Sequence, residues 1–255
     1  MCKVKSGIIL KDRVYIGETD SHTELLKELG IEDTFENASK IFVRAELLPT
    51  DNDVFSNIDS WEYSVDQDIL PDWYMKDFDR ERMVEAVKEW AKNHVHMNKV
   101  GLHLKSGKQH YIKDCEQVVI DGSAEVECII KNSKIEKISG YATVRWIDGD
   151  AKIEKISGFA KVEWIICSAT VGRINGNATV GRISGSAKVG RISGSANVEL
   201  IIGNAKIEKI IGNAKVGWIS GDANVGWISG DATVELIIGN AKVGWISKLA
   251  KGNRK

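Results

Sequence analysis

Four of the five histidines fall between His94 and His110, as His94-x-His96 followed by His103 and His110. Imidazoles at that density raise the question of a metal centre. No ligand spacing supports one, and on a helix a separation of two points His94 and His96 apart, so they read as polar helix-end and turn residues. Carboxylate pairs stand at Asp51/Asp53, Asp66/Asp68 and Asp77/Asp79. Paired carboxylates are the residue type of general acid–base work, and an enzyme in the N-terminal part would have to draw on them. Their polar, turn-like surroundings read instead as caps and turns. The sequence holds no nucleophile elbow, phosphate loop or dinucleotide fingerprint, and its glycines recur every nine residues in a pattern foreign to all three. It nominates no catalytic residue, cofactor site or metal ligand, and the protein is read as non-enzymatic.

The chemistry that remains is charge and aromatic surface. Lys134, Lys137, Lys152, Lys155, Arg173, Lys188, Arg191, Lys206 and Lys209 recur at intervals that would line them up on one face of a repeat. Such a face suits an acidic protein surface or a nucleic-acid backbone; its alternative role is to keep exposed strands soluble. Trp73 and Tyr74, next to Pro71-Asp72, are a second contact candidate, or else the lid of a small core. Trp218, Trp227 and Trp245, with Leu249, are candidates for self-association through an apolar patch.

The intervals come from a repeat. From Ile120, fourteen nine-residue units follow one another and end at Trp245, with the consensus I-x-G-x-A-x-V-x-x. Position one is always isoleucine and position seven always valine or isoleucine; position five is alanine except at Ser133, and position three glycine except at Lys131 and Cys167. Alternation around positions five to eight is the period of a strand with one buried face. The following glycine, usually succeeded by Asn, Asp or Ser, is turn chemistry. One unit cannot bury its own Ile, Ala and Val, but stacked units can. At a spacing of eighteen, position nine separates into Lys137, Lys155, Arg173, Arg191, Lys209, Trp227, Trp245 on one side and Trp146, Trp164, Arg182, Leu200, Trp218, Leu236 on the other. A spacing of twenty-seven mixes them. The expected fold is therefore mainly β: a parallel β-solenoid with about two nine-residue repeats per coil, preceded by a small α+β domain. The nearest geometry is the calcium-binding roll, but its G-G-x-G-x-D pattern is missing and no calcium is expected.

Four segments follow: a small acidic α+β domain at 1–98, a connector at 99–119, the solenoid at 120–246 and a basic tail at 247–255. In the first, Ile8–Leu10 and Val14–Ile16 read as a hairpin. Ser21-His22-Thr23-Glu24 is a capping box opening a helix that Gly30 closes. Ile41–Leu47 and Trp61–Val65 read as strands, and Asp79 as the cap of a second helix with Met83, Val87, Trp90, Ala91 and His94 on its stripe. In the connector, segments 101–104 and 109–112 flank Lys105-Ser106-Gly107-Lys108, and a hairpin there would set His103 opposite His110 and cover the first coil. The tail offers no evident cap, which leaves folding over the last coil or end-to-end pairing into a homodimer.

Charge divides along the same line. Residues 1–100 hold 13 Lys/Arg against 21 Asp/Glu, and residues 101–255 hold 22 against 15. Cys2, Cys115, Cys128 and Cys167 lack metal or disulfide spacing and fit reduced thiols in a cytoplasm. No apolar run is long enough for a transmembrane helix, and no signal-peptide pattern is read. Met1-Cys2-Lys3-Val4, Ser6 through Arg13, Asp20-Ser21-His22, and Val65-Asp66-Gln67-Asp68 with Trp73-Tyr74 resemble the opening of proteins from Firmicutes phages and mobile elements that carry G-S-A-T-V repeat tails. The resemblance spans the chain and implies an α+β head with a solenoid tail. It brings no assigned activity. Its setting, a bacterial host cell, is one in which small non-enzymatic proteins often inhibit host defence, anti-CRISPR proteins among them.

Overall fold

A computed structural model describes residues 4–50, 55–247 and 250–254, and divides the chain into two compact units, Met1–His94 and Val95–Lys255.

The first unit is α+β. Strands β1 (Lys5–Leu10), β2 (Val14–Tyr15), β3 (Phe42–Leu48) and β4 (Glu62–Val65) form an antiparallel sheet in the order β2-β1-β3-β4. The β1–β2 hairpin is the expected one, with Ile8 opposite Tyr15. Helix α1 (His22–Glu28) starts at the expected Ser21 cap, whose hydroxyl accepts from the Glu24 backbone N–H. The reciprocal arm of the box is not made: the Thr19 hydroxyl donates to Glu24 at 2.6 Å and itself accepts from the Ser21 N–H. A one-turn helix, α2 (Phe35–Ala38), had no counterpart in the sequence reading. Helix α3 (Lys76–His94) starts ahead of Asp79. Asp79 therefore lies inside the first turn, where its carboxylate accepts from the Met75 N–H at 2.8 Å and pairs with Arg82. The expected stripe is inward: Met83, Val87, Trp90 and Ala91 are buried. Asp51/Asp53 lie outside the described residues.

The second unit is a parallel β-solenoid of about eight turns, from residue 95 to 246. Alternate strands belong to opposite sheets, one of nine strands and one of ten. Lys134 pairs with Lys152, Thr143 with Lys161 and Thr170 with Lys188, which sets eighteen residues per coil and excludes twenty-seven. Ile, Ala and Val at positions one, five and seven, from Ala124 to Ile237, are all buried and form one continuous core between the sheets. Along a strand such as Lys152–Ile156 the residues run out-in-out-half-in, so positions eight and nine both leave the core and the chain bends into the next corner.

Each corner is a turn, closed in several coils by a bond such as Ala160 N–H to the Ser157 carbonyl, and its glycine, where present, stands at positive φ, +69° at Gly158. A β-carbon there would sit 3.0 Å from the Gly140 nitrogen of the coil below. Lys131 and Cys167, the two exceptions, adopt the same region at φ 59° and 56°.

The expected connector hairpin does not form. His103–Leu104 pairs parallel with Val119–Ile120, while Lys108–Lys113 pairs parallel with strand Glu125–Ile130 in the opposite sheet. Lys105-Ser106-Gly107 is instead a solenoid corner: the Lys105 and Gly107 carbonyls accept from Ser123 and Glu125. His103 does not face His110, and the solenoid starts at Val95, before the first recognisable repeat.

Candidate functional site

In each coil positions six and nine point outward from the same strand. The nine-stranded sheet collects the nominated cations into two rows. Lys134, Lys152, Thr170, Lys188 and Lys206 form one; Lys137, Lys155, Arg173, Arg191 and Lys209 form the other. The rows lie about 10 Å apart along the strand, and neighbours within a row about 4.8 Å apart. Lys155, Arg191 and Lys209 are half-buried, and the rest are exposed. Their stems cover the sheet while the charged ends reach water.

The two sheets differ in how cations are stacked: on the ten-stranded sheet Lys161, Arg182 and Lys215, which form no ion pair among the described residues, have uncharged neighbours in their rows. On the ten-stranded sheet, Arg145 bridges the flanking strands, 2.8 Å from Glu127 and 3.5 Å from Glu163. On the nine-stranded sheet, Lys134 pairs with Glu116. Among the described residues, Lys137, Lys152, Lys155, Arg173, Lys188, Arg191, Lys206 and Lys209 form no ion pair. Position eight explains the middle of this stretch. It is glutamate at Glu136, Glu154 and Glu208 but glycine at Gly172 and Gly190, and residues 164–198 contain no Asp or Glu at all. Arg173 and Arg191 are direct neighbours on adjacent strands. Like charges stacked this way repel, and no acidic side chain on this part of the sheet offsets them.

Stacking also orders the aromatic residues. Trp146 and Trp164 lie parallel at 5.1 Å, with the Arg182 guanidinium 5.0 Å over Trp164, all on the ten-stranded sheet. Tyr141 and Phe159 stack at 5.3 Å along one corner. Trp227 and Trp245 meet edge-on at 6.2 Å, with Lys209 5.2 Å over the Trp227 ring, on the nine-stranded sheet. Trp218, Trp227 and Trp245 are each more than half exposed. Trp218 pairs with Leu200 and Leu236 on the other sheet, so the three tryptophans do not form one patch. Leu249 lies outside the described residues.

The other nominated groups have local partners. Trp73 donates from Nε1 to the Lys40 carbonyl at 2.8 Å, and the Tyr74 hydroxyl meets that of Tyr63 at 3.1 Å. Burial, then the Tyr74 hydroxyl, push the Tyr63 phenol well above its ordinary range. Both residues are half-buried and tied into the first unit, as a core lid would be. His94 meets the Trp90 carbonyl at 2.7 Å and Glu18 at 2.8 Å; His96 meets Gln109 at 2.6 Å; His103 meets Asp121 at 3.0 Å. Cys115, Cys128 and Cys167 are not joined in disulfides, and the first two are buried. A hydrogen bond to Asp148 raises the Cys167 thiol above its usual pKa, away from nucleophilic chemistry. Among the described residues, no helix is long and apolar enough to cross a membrane. No protein-family model, curated protein or solved structure matches the chain.

Proposed function

We propose that the protein is a non-enzymatic binder that docks a polyanionic macromolecule on the nine-stranded sheet of its solenoid. The observation that carries this is the pair of stacked cationic rows left without ion-pair partners where position eight is glycine; on the ten-stranded sheet Arg145 is paired, and Lys161, Arg182 and Lys215 stack on uncharged neighbours rather than on one another. Both an acidic protein surface and a nucleic-acid backbone offer the matching charge. In the phage or mobile-element setting that the resemblance implies, such docking in the host cytoplasm would block a defence complex, as anti-CRISPR proteins do. The acidic first unit would add a second contact.

The test is binding of a fluorescent single-stranded oligonucleotide and of polyglutamate across a salt series, for the wild type and for the triple variant Arg173→Glu/Lys188→Glu/Arg191→Glu. The wild type is expected to lose affinity steeply with salt, since each neutralised phosphate of a single strand contributes roughly −0.7 to the log–log slope. The triple variant is expected to bind at least tenfold more weakly. Salt-independent binding, or an unaffected variant, would remove the cationic rows from the function.

A second reading rests on the exposed Trp227–Trp245 pair near the C-terminal end: the solenoid as a structural spacer, self-associating there into a homodimer.

A further inference from the structure

We infer that the first unit carries a divalent transition-metal site formed by His22, Glu46 and Asp66. Their ligand atoms all lie within 4.8 Å of one another. His22 opens α1 and is 9% exposed. Its Nε2 lies 3.2 Å from the Ala45 carbonyl oxygen, which can only accept. Nδ1 faces Asp66 Oδ2 at 3.2 Å. A neutral ring carries one hydrogen and meets two acceptors, so one contact sets a lone pair against an oxygen; with the hydrogen on Nε2, a cation between Nδ1 and Asp66 removes that conflict.

A proton on Nδ1 would satisfy Asp66 alone. It leaves the third group unexplained: Glu46 is half-buried on β3, and its carboxylate has no hydrogen-bond or ion-pair partner among the described residues. A cation answers both carboxylates at once. For metal–ligand bonds of about 2.0–2.1 Å in a tetrahedral site, ligand atoms stand roughly 3.3–3.4 Å apart, close to the His22–Asp66 spacing. A ligating histidine commonly donates its other ring N–H to a backbone carbonyl, and the Ala45 carbonyl 3.2 Å from Nε2 is placed to accept it.

The ligands come from three fixed elements. His22 follows the Ser21 cap. Glu46 pairs with Ser6 and Ser64 on the neighbouring strands. Asp66 donates its N–H to the Arg44 carbonyl at 2.9 Å, and Gln67 beside it donates to the Ile69 carbonyl at 2.6 Å and accepts from the Arg44 N–H at 2.9 Å. One imidazole and two carboxylates suit zinc-class ions. The Asp66 side chain is 67% exposed, which leaves the outer coordination position to water.

Calorimetric titration of the chelator-treated intact chain with Zn2+ tests this, alongside Glu46→Gln and Asp66→Asn. Asp66 is exposed and Glu46 only half-buried, so both near-isosteric variants are expected to fold. Their circular dichroism spectra check that. The wild type is expected to bind one Zn2+ at this site, and each variant to bind it at least tenfold more weakly. Histidine NMR of the wild type should show Zn2+ moving the His22 Nδ1 resonance. Absence of binding at millimolar Zn2+, or affinity retained in either variant, overturns the site and leaves His22 as a hydrogen-bond partner of Asp66; zinc held by the other histidines would give the second of these results.

Discussion

The residue that decides most in the solenoid is the corner glycine. At Gly158 the backbone is left-handed and a β-carbon would meet the coil below at 3.0 Å. Gly158→Ala should therefore destabilise by about 1–3 kcal/mol, from the left-handed conformation plus the displaced neighbour. Lys131 is the converse case, a side chain already holding φ 59°. Lys131→Gly relieves a strain of roughly 1–2 kcal/mol but adds freedom to the unfolded chain that offsets about 0.5–1 kcal/mol, so a small net stabilisation is expected. Thermal denaturation of both variants checks the pair, and a Gly158→Ala protein as stable as the wild type would contradict this account of the corner. These positions were legible, because a glycine every nine residues beside Asn, Asp or Ser states its own turn. His22, Glu46 and Asp66 were not. They are about twenty residues apart from one to the next, and only the fold of β3 and the pinned Asp66-Gln67 segment brings them together.

At the scale of the element, the unit of structure is the eighteen-residue coil and the unit of sequence is half of it. That mismatch predicts an asymmetry between deletions. Removing Ile210–Trp227, one whole coil, rejoins the strands in register and leaves all nine cations on one sheet. Removing Ile156–Trp164, one repeat, keeps every core position but moves Arg173, Lys188, Arg191, Lys206 and Lys209 to the sheet opposite Lys134, Lys137, Lys152 and Lys155. Both proteins should keep the β-type circular dichroism spectrum. Only the second should lose polyanion affinity, by at least tenfold in the same salt series. Equal affinities would show that the alignment of the rows is immaterial. The coil was readable from the segregation of position nine. The connector was not: Lys105-Ser106-Gly107-Lys108 is as good a hairpin turn as a solenoid corner. The choice was made by parallel pairing with residues 119–130, a partnership that no local signal announces.

At the scale of the whole molecule, one end of the solenoid remains to be accounted for. The last coil holds Ala241, Val243 and Ile246 only half-buried, where the same positions deeper in the stack are sealed. If the chain self-associates there, light scattering should report a dimer that Trp245→Glu or Leu249→Glu converts to monomer. A wild type that is monomeric at high concentration would retire the spacer reading and leave polyanion docking alone. The interchangeability of the coils has an evolutionary side. Because each coil presents the same seam above and below, a copying slip of two repeats lengthens or shortens the stack by about 4.8 Å without disturbing any contact elsewhere. A lineage could thus tune the reach of its charged strip in discrete increments, trading length against partner size while the core motif stays unaltered.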